Sequence, residues 1–505
     1  MATWLNCGKD QEMSVAAQMA GSATPWEGAI FSNGWSRRDA VSQIVEPATG
    51  SILGTVGVAG AADVRAAAAI AAQAQPEWEA TSFEQRGAIL RAAARQIETR
   101  FGEFAEWIMR ETGSSRLKAE FEVGLSIRAV YDAAAMPAQP NGLMLPSETA
   151  RLSYAKRRAL GVVGIISPFN FPFFLGIRSV APALAVGNAV IIKPNPLATV
   201  SGGMLFADLL KKAGLPDGVF HVVPGDADVG EAMCADPDVA MIQFVGSTAV
   251  GRKVGEAASR HLKKVSLEMG GKNSLVILDD ADLDLAAANA AWASFLHQGQ
   301  ICFAAGRTLV QRSIADEFIE KLVAKARAIR VGNPTEEGTM LGPLISDVQC
   351  RRAVAIVDAA RAAGATIHHG GTADGLFFQP TVMSGVTSQM QAYHDEIFAP
   401  VATITTFDTD EEAIALANDT EYGLSGAVIS RSIGRALAIG ERLRVGIVHV
   451  NDQTIGDEAV NPIAGWGASG NGSGVGGPAN WDEFSRWQWY TIKDSPPPYP
   501  LGMAG

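Results

Sequence analysis

The chain has 505 residues, of which 48% are hydrophobic and 19% are charged, so it is long enough for two or three domains around a large core. The formal net charge of −12 argues against nucleic acid as a partner, because phosphate binding needs clustered basic residues. The four cysteines are scattered and form no metal-binding or disulfide pattern, so we predict no bound metal. No segment is typical of a secretory signal or a membrane span, which predicts a cytoplasmic protein without membrane contact.

The first part of the chain is predicted to be helical after a loose arm. Residues 1–28 are small and polar, which predicts the arm. An alanine-rich helix is expected at 61–75, and an amphipathic helical region at 83–111. The sequence Gln139-Pro140-Asn141-Gly142 then predicts a turn.

From residue 161, strand and helix patterns alternate, which predicts a parallel sheet with helical crossovers. The predicted strands are 161–167, 189–193, 220–223, 240–245 and 264–268, and the predicted helices are 174–186, 200–213 and 250–261. Ligands bind at the carboxyl ends of such strands, here Ser167, Lys193, Pro224, Gly246 and Glu268. A second α/β run has predicted strands at 274–278, 307–311, 402–407 and 446–451, a helix at 283–298 and an aromatic strand at 484–493.

Cys302 is a candidate nucleophile. The predicted helix before it ends at Gly299, where the chain can turn sharply and present the thiol from the backbone. A thiolate is a strong nucleophile, although a buried structural cysteine is the alternative. Glu268, followed by Gly270 and Gly271, is a candidate general base for a water that attacks a thioester, or else a surface carboxylate at a strand end. If the thiol and the carboxylate meet in space, the chain makes and hydrolyses thioesters.

Three further sites are candidates for binding. Asn170 lies between Pro168 and Pro172, which fix its side chain, and an amide N–H directed at an oxyanion contributes ~3 kcal/mol. Turn chemistry is the alternative explanation for this asparagine. The segment 246–251 follows a strand and opens a helix, so its backbone N–H groups could approach a diphosphate, and Lys193 could bind a ribose.

Six motifs in the chain together resemble the aldehyde dehydrogenase superfamily. In order they are Ser-Pro-Phe-Asn-Phe-Pro (167–172), Ile-Ile-Lys-Pro (191–194), Phe-Val-Gly-Ser-Thr-Ala-Val-Gly (244–251), Leu-Glu-Met-Gly-Gly-Lys-Asn (267–273), Gly-Gln-Ile-Cys (299–302) and Glu-Ile-Phe-Ala-Pro-Val (396–401). The similarity runs from about residue 30 to residue 495.

The resemblance implies an α/β fold with three parts. A Rossmann-type NAD(P)-binding domain would comprise 29–138 and 161–268, and an α/β catalytic domain would comprise 269–483. A β-hairpin at 139–160, pairing with the strand in 484–505, would form an oligomerisation arm. The resemblance therefore also implies a homodimer or a homotetramer.

The resemblance further implies aldehyde oxidation by NAD or NADP. Cys302 would attack the aldehyde, the Asn170 side chain and the Cys302 backbone N–H would hold the oxyanion, and Glu268 would activate the hydrolytic water. The residues implied at the cofactor are Ile166, Ser167, Phe169, Lys193, Gly225, Gly230, Phe244, Gly246, Ser247, Val250, Gly251, Met269, Gly270, Glu396 and Phe398. Many NAD-preferring members carry glutamate where this chain has Pro196, and its absence removes a group that repels the 2′-phosphate of NADP.

Within the superfamily, the segments 177–182, 294–302 and 450–454 look like those of benzaldehyde and vanillin dehydrogenases. The substrate pocket implied by family position is Phe171, Phe174, Leu175, Arg178, Phe295, Ile301, Phe303 and Ile463, and its phenylalanines would suit a flat aromatic ring. The family's Pro-Phe-Gly-Gly reads Pro-Ile-Ala-Gly at 462–465, which changes one wall. An aliphatic aldehyde or semialdehyde substrate, and a non-catalytic binding protein of the same shape, are the alternatives.

Overall fold

The structure, a computed structural model, describes residues 24–499 of the chain. The strands of its first half are β1 (Ala29–Ser32), β2 (Trp35–Arg37), β3 (Val41–Val45), β4 (Ile52–Gly57), β5 (Gly142–Met144), β6 (Leu152–Ala159), β7 (Val162–Ile166), β8 (Ala189–Lys193), β9 (Phe220–Val222), β10 (Val239–Val245) and β11 (Lys264–Glu268). The helices are α1 (Ala61–Ala80), α2 (Phe83–Thr99), α3 (Phe101–Thr112), α4 (Arg116–Ala135), α5 (Pro172–Val186), α6 (Leu205–Lys212), α7 (Ala227–Ala235) and α8 (Thr248–Arg260).

The strands of the second half are β12 (Asn273–Ile277), β13 (Ala305–Gln311), β14 (Thr366–His369), β15 (Ala373–Asp374), β16 (Phe377–Phe378), β17 (Thr381–Ser384), β18 (Val401–Phe407), β19 (Tyr422–Gly423), β20 (Ser425–Ile429), β21 (Ile447–Val450), β22 (Trp466–Gly467) and β23 (Ser485–Ile492). The helices are α9 (Leu283–Phe295), α10 (Ala315–Ala328), α11 (Asp347–Ala362), α12 (Gln391–His394), α13 (Asp410–Asn418), α14 (Ile433–Gly440) and α15 (Ala479–Phe484).

The first sheet contains the parallel strands with helical crossovers that the alternation of strands and helices predicts, and it is doubly wound. Its strand order is β11-β10-β7-β8-β9-β1-β2, and the five strands from β11 to β9 are parallel. The chain moves outward in one direction from β7 to β9 and in the other from β10 to β11. Ligands bind where the order reverses, so a crevice is expected beyond the carboxyl ends of β7 and β10.

The second sheet has the order β14-β17-β18-β13-β12-β20-β21, in which only β14 is antiparallel to its neighbour. The sequence predicted four of these seven strands. β12 and β13 lie near the centre of the sheet. β12 begins shortly after Glu268 in the chain, and β13 begins shortly after Cys302. This sheet therefore positions the second half of the candidate site.

The structure adds detail to one predicted helical region and shortens another. The region 83–111 is two helices, because Arg100 has a ψ of 23° and its guanidinium pairs with Glu103 and Asp208. The region 283–298 leaves the α-helical conformation after Phe295, for reasons that bear directly on Cys302. Helix α5 begins at Pro172, two residues earlier than predicted, because proline suits the first helical position.

A third, antiparallel sheet has the order β23-β6-β5 and contains the predicted hairpin. β23 pairs with β6 along its whole length, from Ser485 opposite Ala159 to Ile492 opposite Leu152, which confirms the predicted pairing. Large apolar side chains on this sheet are exposed, among them Leu143, Met144, Trp487 and Trp489.

Some residues near the predicted domain boundaries pack with a different part of the fold from the one predicted. Residues 1–23 of the predicted arm lie outside the described part, but Trp26 is buried against Trp35 and Trp107, so the arm does not extend to residue 28. Val475 and Phe484 belong to the core beside the first sheet, although the sequence placed them with or next to the catalytic domain. Across residues 24–499, no helix has the length and apolarity needed to span a bilayer.

Candidate active site

The loop that carries Cys302 lies against the segment that follows Glu268. The Asn273 side-chain amide donates to the Cys302 carbonyl at 2.7 Å and to the Ala304 carbonyl at 2.8 Å. A Cβ on Gly271 would lie 2.9 Å from the Cys302 carbonyl oxygen, so a residue without a side chain is needed there. The thiol and carboxylate motifs, far apart in sequence, therefore meet in space.

A left-handed turn precedes the nucleophile loop. His297, Gln298 and Gly299 have φ values of 49°, 56° and 66°, which replaces the predicted end of the helix. The Gln298 side-chain amide donates to the carbonyls of Gly113 and Pro343, each at 2.7 Å, and so anchors the turn. Apart from Gly299, no residue in the sequence predicts this turn.

The Cys302 thiol is partly exposed in an acidic environment. Burial raises its pKa, and the carboxylates of Glu396, Asp457 and Glu268 raise the pKa further, while a backbone hydrogen bond from Phe303 lowers it. The thiol is therefore protonated at neutral pH, and its reaction as a nucleophile requires an acceptor for its proton.

Glu268 is a buried carboxyl at the end of β11, with 9% of its surface exposed. Its Oε1 has no hydrogen-bond partner among the described residues. Burial raises its pKa well above the ordinary carboxyl value; Arg178 opposes this shift, and Glu483 and Asp457 add to it. The raised pKa makes the ionised form of Glu268 a stronger base than an ordinary carboxylate, which suits a general base.

Two N–H donors among the predicted site residues have no acceptor within residues 24–499. They are the side-chain amide of Asn170, which is 4% exposed, and the backbone N–H of Cys302. The Lys118 ammonium donates a hydrogen bond to the Asn170 carbonyl and so holds the main chain at this residue. Unpaired donors of this kind are suited to an oxyanion.

The predicted cofactor residues surround the crevice of the first sheet. Ile166, Ser167 and Phe169 lie at the end of β7, Gly225 and Gly230 at the start of α7, Met269 and Gly270 after β11, and Phe244, Gly246, Ser247, Val250 and Gly251 at the end of β10 and the start of α8. In the first turn of α8, Ser247 caps the Val250 N–H at 3.4 Å, and the N–H groups of Thr248 and Ala249 have no acceptor within residues 24–499. These donors fit a diphosphate.

Lys193 supplies the cation of this crevice. Only 7% of its surface is exposed, and its one acceptor within residues 24–499 is the Pro194 carbonyl at 3.4 Å. Burial lowers the pKa of Lys193, whereas the carboxylates of Asp226 and Asp228 raise it. An amine with so weak a protein partner fits the hydroxyl groups of a ribose.

Glu396 and Phe398 connect the crevice with the thiol. Glu396 accepts a hydrogen bond from the Gly271 N–H at 3.2 Å, and burial raises its pKa to about 7. The Phe398 ring lies edge-on to Phe169 with centroids 5.8 Å apart. Gln349, which the sequence analysis missed, donates to the Phe398 carbonyl at 2.8 Å and supports the positive φ of that residue.

Comparisons with known proteins agree with this geometry. The sequence model described as "Aldehyde dehydrogenase family" matches residues 35–490. The chain belongs to the aldehyde dehydrogenase family. It is 48% identical to the benzaldehyde dehydrogenase (NAD+) of Pseudomonas putida and 46% identical to the vanillin dehydrogenase of an Amycolatopsis species, in each case over 94% of this chain and 98% of the relative.

A solved structure with the same fold is that of betaine aldehyde dehydrogenase from Staphylococcus aureus in complex with NAD+. It superposes with a TM-score of 0.92 at 29% identity, covering 95% of this chain and 97% of that one. The doubly wound sheet, the second sheet and the hairpin of this aldehyde dehydrogenase are therefore those of its family.

An apolar cluster surrounds the thiol of the aldehyde dehydrogenase. It contains Cys302 and six of the predicted pocket residues, Phe171, Phe174, Leu175, Ile301, Phe303 and Ile463. The sequence analysis missed other members, among them Phe121, Leu125, Trp292, Leu296, Ile455 and Ala459. Phe121 and Leu125 lie on α4, whose sequence shows an ordinary helix and does not reveal which neighbour it packs on.

Two predicted pocket residues lie elsewhere. Phe295 is 1% exposed and packs in the core of the second sheet, because it closes the last turn of α9. The Arg178 guanidinium is 3% exposed and forms a two-pronged ion pair with Asp457 at 2.7 and 3.0 Å, so it is a support behind Phe174 and presents no free charge to a substrate.

The acidic environment predicts how Cys302 reacts with an alkylating reagent. At pH 8 the carboxyl of Glu396 is mostly ionised and disfavours the thiolate, so Glu396→Gln should accelerate alkylation of Cys302 by iodoacetamide about tenfold. Peptide mapping by mass spectrometry gives the rate. Glu317→Gln, on the exposed face of α10, is the control, and equal rates in all three proteins would remove Glu396 from the environment of the thiol.

Proposed function

We propose that this aldehyde dehydrogenase oxidises aromatic aldehydes of the benzaldehyde and vanillin type to carboxylic acids, with NAD(P) as the hydride acceptor. The observation that carries the proposal is the position of Cys302 inside a cluster that includes Phe121, Phe171, Phe174, Trp292 and Phe303. Aromatic side chains bind a flat ring through offset and edge-on contacts. The names of the two most similar relatives described above support the same substrate class.

Cys302 acts as the nucleophile. Its sulfur bonds to the aldehyde carbon, and the carbonyl oxygen becomes an oxyanion that the Asn170 amide and the Cys302 backbone N–H stabilise. The thiol proton passes to the buried carboxylate of Glu268, whose raised pKa allows it to hold a proton. Loss of a hydride then leaves a thioester on Cys302.

Glu268 acts a second time in hydrolysis. The proton that Glu268 took from the thiol first passes to solvent. Glu268 then takes a proton from a water molecule as the water oxygen bonds to the thioester carbon, and this proton passes to the Cys302 sulfur as the carbon–sulfur bond breaks. The carboxylic acid leaves and Cys302 is free again. Glu268 thus serves as the base of both half-reactions.

The residues of the crevice fit a dinucleotide. The first turn of α8 would bind the diphosphate, Lys193 the adenosine ribose, and Glu396 the nicotinamide ribose. Bound NAD(P) supplies the acceptor for the hydride. Pro196 offers no carboxylate to repel a 2′-phosphate, so use of NADP beside NAD is part of the proposal.

The third sheet supports a homo-oligomer, either a dimer or a tetramer. Trp487 and Trp489 are 48% and 60% exposed on β23, which is an edge strand of the described structure. Exposed aromatic groups on an unpaired edge are typical of an interface. We propose that a second copy of this chain covers this face.

Rates of reduced-cofactor formation test the substrate and the cofactor. With benzaldehyde and vanillin, kcat/KM should exceed that with propanal by at least about tenfold, because only the ring fills the aromatic cluster. Each aldehyde is measured with NAD and with NADP, and Cys302→Ala serves as the blank. A preference for propanal would keep the mechanism and refute the aromatic class, and a strict requirement for NAD would refute the assignment to Pro196.

Pre-steady-state kinetics test Glu268. We expect Glu268→Gln to lower the steady-state rate by roughly 10²–10⁴ because the amide cannot accept a proton from water. A stopped-flow trace should still show a burst of reduced cofactor, since the thioester accumulates, and acid quenching should trap an acyl group on Cys302. Normal turnover by this variant would assign deacylation to another base.

Sedimentation tests the interface. Trp489→Glu introduces a charge on the exposed face of β23 and should convert the native oligomer into a smaller species with unchanged secondary structure. Val348→Glu, at an equally exposed apolar position on α11, should leave the mass unchanged. An unaltered oligomer in Trp489→Glu would place the interface on another surface.

A further inference from the structure

A buried ion pair lies behind the proposed oxyanion donor. Lys118 and Glu122 are one turn apart on α4, and neither has any exposed surface. The Lys118 ammonium is 2.5 Å from Glu122 Oε2. A buried pair of this kind rarely adds net stability over apolar side chains of similar size, so its presence calls for a different physical role.

Each member of the pair holds one side of Asn170. The Lys118 ammonium donates to the Asn170 carbonyl at 2.6 Å. Glu122 Oε1 accepts from the backbone N–H groups of Phe173 and Phe174, at 2.8 and 3.0 Å, and so fixes the start of α5. The ion pair therefore holds the chain on both sides of Asn170. Lys118 binds the Asn170 carbonyl, and Glu122 binds the start of the helix that follows.

The contacts fix direction as well as position. Lys118 also lies 4.2 Å from the centroid of the Phe171 ring, a contact that orients the residue next to Asn170. His297 packs edge-on against the same ring, and burial and Lys118 lower the pKa of His297, so this imidazole is neutral. These contacts hold the backbone on both sides of Asn170, whose side-chain amide makes no bond to the described protein.

We propose that Lys118, supported by Glu122, is a positioning residue that directs the Asn170 amide at the oxyanion. The inference rests on the proposed function, in which Asn170 is the oxyanion donor. The pair touches neither the thiol nor the aldehyde, and its effect passes through the Asn170 backbone. A misplacement of about 1 Å at such a donor can cost on the order of a hundredfold in rate.

A double-mutant cycle separates positioning from general support. The first variant combines Lys118→Met with Glu122→Gln, which removes both charges together and leaves an amide oxygen to accept from Phe173 and Phe174. The second variant is Asn170→Ala, and the third carries all three changes. The readouts are the single-turnover rate of reduced-cofactor formation from benzaldehyde and NAD, and the melting temperature of each protein.

If the proposal holds, Lys118→Met with Glu122→Gln lowers the single-turnover rate by roughly tenfold to a hundredfold in the native background. In the Asn170→Ala background the same changes alter the rate by less than about twofold, because the group they position is absent. The loss in melting temperature is equal in both backgrounds. Lys321→Met with Glu317→Gln, the same substitutions in an exposed pair of the same spacing on α10, leaves the rate unchanged.

Equal losses in both backgrounds, or no loss in either, would overturn the positioning role while the proposed function stands. An unchanged rate in Asn170→Ala would overturn the oxyanion assignment and the positioning role together. If the Met and Gln pair does not fold, Lys118→Gln with Glu122→Gln keeps a donor for the Asn170 carbonyl and a neutral pair. It should retain part of the native rate in the same cycle, and a rate as low as that of Asn170→Ala would count against the proposal.

Discussion

The side-chain amide of Asn273 is the interaction on which the site depends. Its nitrogen donates to the carbonyls of Cys302 and Ala304, and its oxygen accepts from the Ser425 N–H at 2.9 Å. Asn273 is the first residue of β12 and Ser425 the first of β20, so one amide connects the nucleophile loop to two adjacent central strands. Asn273 is 3% exposed, and loss of a hydrogen-bond partner by a buried polar group costs about 1–3 kcal/mol. The position of the Cys302 backbone is therefore set by the second sheet.

The site contains buried ionisable groups, and their burial reduces the stability of the fold. Burial raises the pKa of Glu396 to about 7, and it lowers the pKa of Lys272 to about 7. Lys272 nevertheless donates to the carbonyls of Ala392 and Asp395, which positions the segment that carries Glu396. Between the ordinary carboxyl pKa of 4.5 and pH 7, the unfolded chain releases the Glu396 proton and the folded chain keeps it, so this group destabilises the fold as the pH rises over that interval. Ionisable groups with shifted pKa values are concentrated at functional sites, where the chemistry depends on them.

Local patterns in the sequence predict the fold well and the supports of the site poorly. The alternation of strands and helices after residue 161 predicts the parallel strands of the first sheet, and the ends of those strands predict the crevice, because these features follow from short-range hydrophobic order. The ion pair between Arg178 and Asp457 joins residues 279 positions apart, and no local pattern marks either partner. The prediction that Phe295 lines the pocket is wrong for a related reason. A family position does not specify which side of a helix end faces the pocket.

The turn before Cys302 has a backbone conformation that the sequence motif does not predict. Left-handed backbone costs roughly 1–2 kcal/mol for a residue with a side chain, and His297 and Gln298 both adopt it. The two hydrogen bonds of the Gln298 amide offset that cost, and Gly299 completes the turn where a Cβ would lie 2.2 Å from the Ala399 carbonyl oxygen. The surrounding contacts thus hold the turn in a conformation that residues with side chains rarely adopt. The backbone N–H of Cys302, which follows this turn, has no acceptor within residues 24–499 and is available to an oxyanion.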